Sequence, residues 1–420
     1  AYFKMAYRRN TNWEEDGPLK ADLEKYVEQD LRRTEILDFL KRDYGQYAWS
    51  LSSLDRRLRH FGIYYTNTNV TVGEVREAVE KEIDGPGKCL GYRAMQKKLR
   101  QEYHLKVPRD LVYAVMTDVD SDGLQARAFG NAKKKRKGKF STMGANWVHS
   151  FDGHDKLMGY QNSTFPLAIY GCIDTASRKI LWLKIWVSNS DPQLIGYWYL
   201  EYLFESKVIA SFMRLDKGTE TGTIATMHAY LQQFNDAVSE PTETVIYGPS
   251  TSNQIERWWR ELHERMERYF KEHLRRLLAE NHYDPHNEID RLLLAYLFIP
   301  MVQKQLDIFK DTIWNSHRIH MQKNTDLPDG VPNHMYNFPS KYGLDECGFS
   351  VSEEQLKNVA EMSGVLEVAQ DFMSTEMRQQ CSAIIPYPTE VEPNECYDAF
   401  IYLKHNFLQQ LNSTGNQSSH

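Results

Sequence analysis

The sequence predicts an α/β core in the middle of the chain, with helical regions before and after it. Between residues 147 and 248, short apolar segments of strand length alternate with longer segments of helical period. From residue 252 to about 280, apolar residues recur at the spacing of one helix face. The predicted order in this core is strand, strand, strand, helix, strand, helix, strand and helix. It indicates a mixed five-stranded sheet with helices on both faces.

The first 130 residues are predicted to form two helix-turn-helix units. Residues 1–18 are interpreted as a flexible leader. In residues 19–66, a helical segment is broken at Gly45 and followed by a basic helix that begins at a serine cap and ends at a glycine. Residues 67–130 show a similar arrangement, with Pro108 at the start of a helix. Such units either place a basic helix on DNA or form a small bundle with a solvated basic face.

Basic residues are concentrated in this N-terminal part. Residues 1–140 hold 28 Lys and Arg against 21 Asp and Glu, a net charge of +7, whereas the remainder has a net charge of −13. We therefore expect DNA to contact the N-terminal part. The candidate contacts on the helices are Arg56, Arg57, Arg59, Arg93, Lys97 and Arg109.

A run of basic residues separates the helical units from the core. We interpret residues 131–145 as a basic linker, which contains Lys133, Lys134, Lys135, Arg136 and Lys137. Such a run is typical of a nuclear-import signal, of a linker that contacts phosphates, or of a solvated tether. Its position before the core favours a contact with DNA, and we expect the protein to be nuclear.

The core segments can be bounded from the apolar pattern. The predicted strands and helices are strands at 167–174, 179–188, 208–215 and 244–248, and helices at 192–205, 223–234 and 252–280. They follow a first strand that begins at Trp147. This order is that of a ribonuclease-H-like fold.

Three carboxylates lie at matched places in this pattern. Asp152 ends the first apolar run, and Asp216 ends the run at 208–215. Glu256 lies in the first turn of the long helix. Two strand-end aspartates and a helix glutamate can hold hard divalent cations through oxygen ligands. The alternative is that the aspartates form ordinary turns and that the glutamate is favoured by the helix dipole.

Several motifs accompany these carboxylates in a fixed order. They are SFDGHDKL at 150–157, YGCIDTASRKI at 170–180, RLDKGTE at 214–220, NQIERWW at 253–259, IWNSHR at 313–318, GVP at 330–332 and PSKYG at 339–343. On these motifs the segment from about 147 to 342 resembles the integrase core domain of the retroviral-integrase and DDE-transposase superfamily. It is most similar to the integrase-core proteins found in animal and fungal genomes. One departure from the family pattern is Thr221, where the family usually has Asn.

The resemblance implies a function. Asp152, Asp216 and Glu256 would be the catalytic residues and the ligands of Mg²⁺ or Mn²⁺. The protein would bind DNA, both element ends and a target duplex, and would catalyse phosphodiester cleavage and strand transfer. Because two DNA ends must be cut together, we expect a homo-oligomer on DNA. Two alternatives remain: a host-adopted protein that binds DNA or chromatin without catalysis, and a metal-dependent nuclease without joining activity.

The rest of the chain restricts the class of protein. We assign 146–343 to the catalytic core with a helical extension, 344–411 to a helical C-terminal region and 412–420 to a disordered tail. Five widely spaced cysteines without a Cys-x-x-Cys pair predict neither a disulfide framework nor a structural zinc site. The longest apolar run, 292–302, is too short to span a bilayer, so we expect no membrane contact.

Overall fold

The computed structural model describes residues 12–67, 69–120, 123, 142–159, 163–248, 254–321 and 327–417. The chain divides into two compact units. The first comprises the described residues of Ala1–Glu82 and Leu90–Asn131, and the second those of Ile83–Cys89 and Ala132–His420. The predicted leader (apart from residues 12–18) and most of the predicted linker at 131–145 lie outside the described residues.

The first unit is helical. Its helices are α1 (Gly17–Glu28), α2 (Arg33–Asp43), α3 (Leu51–His60), α4 (Val72–Asp84), α5 (Tyr92–Glu102) and α6 (Arg109–Val119). Local signals explain where they begin. The Asp16 side chain accepts a hydrogen bond from the N–H of Leu19 at the start of α1, and Ser50 accepts one from Ser53 at the start of α3. As predicted, a basic helix therefore follows the break at Gly45.

The second unit is built on a mixed five-stranded sheet. Its strands are β2 (Val148–His154), β3 (Ala168–Asp174), β4 (Ile180–Trp186), β6 (Phe212–Leu215) and β7 (Val245–Tyr247), and their order in the sheet is β4-β3-β2-β6-β7. Strands β2, β3 and β4 are antiparallel neighbours, whereas β2, β6 and β7 run parallel. This is the predicted ribonuclease-H-like arrangement.

Helices cover both faces of this sheet. On one face lie α7 (Pro192–Ser206) and α8 (Gly222–Gln232), which pack on Phe151 and Cys172 of the paired strands. Because side chains alternate along a strand, the next residues, Asp152 and Gly171, point to the other face. That face is covered by α9 (Gln254–Leu262).

The predicted helix at 252–280 is interrupted by a π turn. Helix α9 ends at Leu262, a π turn spans His263–Glu267, and α10 (Arg268–Ala279) continues the chain. The predicted apolar stripe is nevertheless confirmed, because each of its members is at most 3% exposed: Ile255, Trp259, Leu262, Met266, Phe270, Leu274 and Leu277. The extra residue of a π turn shifts the helix face without ending the helix.

A second long helix protects the outer strand of the sheet. Helix α11 (Glu288–Ile308) and the π turn Phe309–Trp314 run beside β4. The amide of Gln303 bonds the N–H of Ile185 and the carbonyl of Leu183, and Asn315 bonds both backbone groups of Ile180. These side chains satisfy backbone groups that an edge strand otherwise leaves unpaired.

Helix α11 and the π turn that follows it are the one described segment with the length and apolar composition to cross a membrane. Of the most apolar window in Glu288–Trp314, 67% is buried inside the unit. Such burial is the behaviour of a core helix. The predicted apolar run at 292–302 lies within it.

The C-terminal segment packs into the second unit. Short strands β8 (Asp345–Glu346) and β9 (Phe349–Ser350) pair with β1 (Gly144–Ala145) and β5 (Val208–Ile209). The helices that follow α12 (Pro332–Asn337) are α13 (Glu353–Ser363), α14 (Thr375–Ile384) and α15 (Cys396–Gln417). The strand predicted at 208–215 is therefore two strands. Its first part pairs with β9, and its second part joins the main sheet beside β2.

Candidate metal centre

Three carboxylates meet near the C-terminal ends of the neighbouring strands β2 and β6. One ligand atom from each of Asp152, Asp216 and Glu256 lies within 4.8 Å of the others. Asp152 is in β2, and Asp216 directly follows β6. The parallel register pairs Ser150 with Arg214. Asp152 and Asp216 each follow two residues later, so they lie at the same height along the two strands. The three side chains that the sequence singled out are thus brought together.

The carboxylates differ in their exposure. Asp152 is 9% exposed, Asp216 is half-buried and Glu256 is exposed. Burial raises the pKa of Asp152 to about 8, and the nearby charges of Glu256 and Asp216 act in the same direction. A hydrogen bond from Trp259 opposes this shift. At neutral pH the cluster therefore holds its full negative charge only at a cost, which a bound cation would remove.

The donor atoms fit a hard divalent cation. All three groups offer carboxylate oxygens, the ligands that Mg²⁺ and Mn²⁺ prefer. Among the described residues, no hydrogen-bond donor reaches the buried Oδ1 atom of Asp216. A buried carboxylate oxygen without a partner is costly, and a cation would supply that partner. Asp152, Asp216 and Glu256 are thus suited to hold the ion that the sequence predicts.

A tryptophan that sequence reasoning missed completes the centre. The Nε1–H group of Trp259 donates a buried hydrogen bond of 2.9 Å to Oδ2 of Asp152. Trp259 belongs to the apolar stripe of the predicted helix, and the stripe by itself indicates a core residue. Two signals were available: Trp259 lies one helical turn after Glu256, and Gly171 interrupts a strand of large residues, which indicates close approach by another group.

Behind Trp259 lies a buried imidazole–carboxylate cluster. The His154 ring stacks on the Trp259 indole, with centroids 4.6 Å apart and planes 12° apart. His154 Nε2 and His263 Nδ1 lie 2.9 and 3.1 Å from Oε2 of Glu267. Burial opposes ionisation of Glu267, but the charges and hydrogen bonds of the two histidines outweigh it and keep its pKa below the usual value.

Two other acids of the motifs are structural. Asp174 is fully buried and accepts hydrogen bonds from the N–H groups of Asn146 and Ser177. Asp155 accepts a hydrogen bond of 2.7 Å from Asn189. Neither residue is part of the three-carboxylate cluster.

The candidate DNA contacts of the first unit differ in exposure. Arg56, Arg59, Arg93 and Arg109 are exposed, and Lys97 is half-buried. Lys133, Lys134, Lys135, Arg136 and Lys137 lie outside the described residues. The DNA-binding roles of all of these remain predictions.

Arg57 requires a correction. Its side chain is 3% exposed, and its guanidinium carbon lies 4.0 Å from the centre of the Trp49 ring. It also donates a hydrogen bond to the carbonyl of Ala48. The predicted DNA contact is wrong, because the apolar side of α3 buries this cation among aromatic rings instead of presenting it to phosphate.

Two exposed cations lie on the helix that carries Glu256, and the charge count along the sequence does not indicate them as DNA contacts. Arg257 and Arg260 are exposed on α9, directly after Glu256. Because residues 141–420 carry a net charge of −13, the average along the sequence concealed them.

Comparison with protein families agrees with this geometry. Residues 140–336 match the family described as the integrase core domain. The matched segment contains the whole five-stranded sheet and all three carboxylates. A search of curated proteins finds no match to the chain. The family resemblance and the fold predicted from the sequence are confirmed.

Proposed function

We propose that this protein, whose residues 140–336 belong to the integrase core family, is a metal-dependent polynucleotidyl transferase that cuts and joins DNA. The observation that carries the proposal is the convergence of Asp152, Asp216 and Glu256 within 4.8 Å. A shared carboxylate cluster in this family's domain is costly unless a cation binds to it. The cluster therefore has a physical reason to exist in an enzyme and none in a simple binding module.

The chain's own residues account for binding and alignment of the ion. Asp152 and Asp216 are fixed on neighbouring strands, and Glu256 reaches the same place from α9. When bound, Mg²⁺ or Mn²⁺ would polarise an attacking oxygen and stabilise the leaving 3′ oxygen of a phosphodiester. Exposure of Glu256 leaves the centre open on one side to a large substrate. No nucleophilic side chain and no covalent protein intermediate are needed.

Cations in both units support DNA as the substrate. Arg257 and Arg260 lie on the helix that carries Glu256, where they suit the phosphates that flank a scissile bond. In the first unit, α3 presents Arg56 and Arg59 on its exposed side. We propose that this unit binds the DNA duplex outside the cleavage site, and that the chain acts in the nucleus as a homo-oligomer assembled on DNA.

Incubation with a labelled DNA duplex and Mg²⁺ or Mn²⁺ tests this function. We expect shortened strands, and longer strands in which a cut end is joined to a second duplex. Asp216→Asn should remove both products while leaving DNA binding intact. Shortened strands alone would indicate a nuclease without joining activity. Binding without any product from the wild-type protein would favour a host-adopted DNA-binding protein.

A further inference from the structure

One oxygen of the Asp152 carboxylate is held by a neutral donor. The Trp259 Nε1–H group lies 2.9 Å from Asp152 Oδ2, and both side chains are at least nine-tenths buried. We propose that Trp259 is a positioning residue that keeps the Asp152 carboxylate aligned for the cation, and that the His154–Glu267 pair keeps the indole in place. This inference rests on the proposed metal-dependent function.

The Asp152 carboxylate needs a hydrogen-bond donor at this position. Asp152 is buried beside two further carboxylates, whose charges repel it. The backbone N–H of Gly153 also acts on this carboxylate, but without the indole the side chain would be free to rotate away from these charges or to take up a proton. A lysine or arginine here would satisfy Asp152, but its charge would compete with the cation. An indole N–H has no charge, so it fixes one oxygen and leaves the remaining acceptor capacity for metal binding.

Residues of the sheet support the indole itself. The His154 ring stacks on one side of it, with planes 12° apart. A Cβ atom added at Gly171 would lie 3.1 Å from the far edge of the indole. The absence of a side chain at Gly171 therefore leaves the space that the indole occupies. Two strands thus position Trp259: β2 provides the stacking ring of His154, and β3 provides the space at Gly171.

A buried carboxylate behind the ring holds the histidine that stacks on it. Glu267 is fully buried, and its Oε2 atom lies within hydrogen-bond distance of both His154 and His263. The bond to His154 Nε2 fixes the imidazole plane against which the indole stacks. His263 and Glu267 are the first and last residues of the π turn His263–Glu267, which brings both side chains to one site.

Trp258 provides a matched control. It is adjacent in sequence and 2% exposed, but no described acceptor lies within reach of its indole N–H group. Trp258→Phe and Trp259→Phe therefore make the same chemical change in two buried rings. Only the second change removes a hydrogen bond to a carboxylate of the centre.

Titration of the full-length protein with Mn²⁺ in the absence of DNA tests the inference, with binding measured by calorimetry. We expect Trp259→Phe to weaken Mn²⁺ binding by about 10–100-fold, the usual effect of losing a partner of a metal ligand. Trp258→Phe should leave the affinity unchanged. Equal affinities in both variants and the wild type, or equal losses in both variants, would overturn the positioning role.

Glu267→Gln gives a second and independent measurement. It should weaken Mn²⁺ binding in the same direction although it touches no carboxylate of the centre. Glu267→Gln also tests the inference if Trp259→Phe does not fold. An unchanged Mn²⁺ affinity of Glu267→Gln would then refute the positioning role. A wild-type protein that binds no Mn²⁺ would overturn the proposed function and this inference together. Wild-type binding with unaffected variants would overturn this inference alone.

Discussion

Gly171 lies directly opposite Asp152 across the antiparallel strands β2 and β3. Because Gly171 has no side chain, the Trp259 indole fits over the strand and reaches the Asp152 carboxylate with a hydrogen bond of 2.9 Å. The smallest residue of β3 and the most buried acid of the metal centre are therefore parts of one arrangement. Backbone pairing, ring packing and metal chemistry are coupled at this position.

This relationship predicts the effect of a methyl group at position 171. In Gly171→Ala, the new Cβ atom would lie 2.6 Å from Leu183 Cδ2 and 3.1 Å from the Trp259 ring. We expect a loss of roughly 1–3 kcal/mol in the free energy of unfolding, as for overpacked cores. Mn²⁺ affinity should fall as well, because the indole is displaced. Urea denaturation and calorimetry measure the two effects.

Gly222→Ala is the control for that variant. A Cβ atom at this first residue of α8 meets nothing within 4 Å. It should be neutral or stabilise the protein by about 0.4–1 kcal/mol, because alanine reduces the freedom of the unfolded chain. If Gly171→Ala is as stable as this control and binds Mn²⁺ normally, the tight packing at Gly171 is refuted.

A second prediction concerns the cost of the metal centre without metal. The raised pKa of Asp152 means that the folded protein keeps a proton that the unfolded chain releases above about pH 4, so stability falls as pH rises towards 8. Asp152→Asn removes this charge and keeps an oxygen to accept the Trp259 hydrogen bond. Near pH 8 without metal, we expect the variant to unfold at a higher temperature than the wild type.

The same variant should lose its response to cations. Thermal unfolding of the wild type is expected to shift upward with Mn²⁺, whereas Asp152→Asn should show little or no shift and no DNA cleavage. A change of 1 kcal/mol in the free energy of unfolding shifts the unfolding temperature by roughly 2–4 °C in a domain of 150–250 residues. A variant that is less stable than the wild type without metal would contradict the proposed repulsion among the carboxylates.

Buried histidines predict sensitivity to acid. Burial lowers the pKa of both His149 and His228 to about 3, so the folded state keeps them neutral. The unfolded chain protonates them below about pH 6.5, and stability should therefore fall as pH drops from about 6.5 towards 3. His228→Phe should reduce the pH slope of the unfolding free energy by up to about 1.4 kcal/mol per pH unit. Urea unfolding at several pH values measures it.

The exposed His286 offers a control for the acid prediction. His286→Gln should leave the slope between pH 6.5 and 3 unchanged. The expected effect of His228 is absent if both variants retain the wild-type slope.

The corrected position of Arg57 predicts a contrast within one helix. Arg57→Ala should lower the stability of the first unit, because it removes a buried cation that packs on Trp49. Arg59→Ala should leave stability nearly unchanged and weaken DNA binding, with the slope of log K against log salt reduced by about 0.9 for one lost phosphate contact. Thermal unfolding and DNA titrations at several salt concentrations separate the two effects. Equal DNA affinities for Arg59→Ala and the wild type would contradict a DNA contact through Arg59 of α3.

Much of the centre could be predicted because each of its three carboxylates stands beside an apolar segment of regular period. Asp152 and Asp216 follow apolar strand patterns, and Glu256 opens an amphipathic helix, so local periodicity locates all three. The hydrogen bond from Trp259 could not be predicted in this way, since it depends on packing between a helix and a strand far apart in sequence. Arg57 illustrates the opposite error: a charge pattern reads as exposed surface until aromatic rings from other segments cover it.

Contacts with distant parts of the chain explain two irregularities of the fold that the sequence pattern does not predict. The apolar run at 208–215 predicts one strand, but the chain changes partner within it, from β9 to β2. The helical period from 252 to 280 does not indicate the π turn, because a π turn leaves the apolar stripe nearly continuous. In both places, the deciding contacts come from residues that are distant in the chain.

The most direct measurement is anomalous X-ray diffraction from a crystal of the protein soaked in Mn²⁺. We expect an anomalous peak among the carboxylates of Asp152, Asp216 and Glu256, with oxygen atoms of all three in contact with the ion. In a crystal of Asp216→Asn, this peak should be lost. Strong Mn²⁺ peaks elsewhere in the wild type, with none between these three carboxylates, would show that they do not form the metal centre.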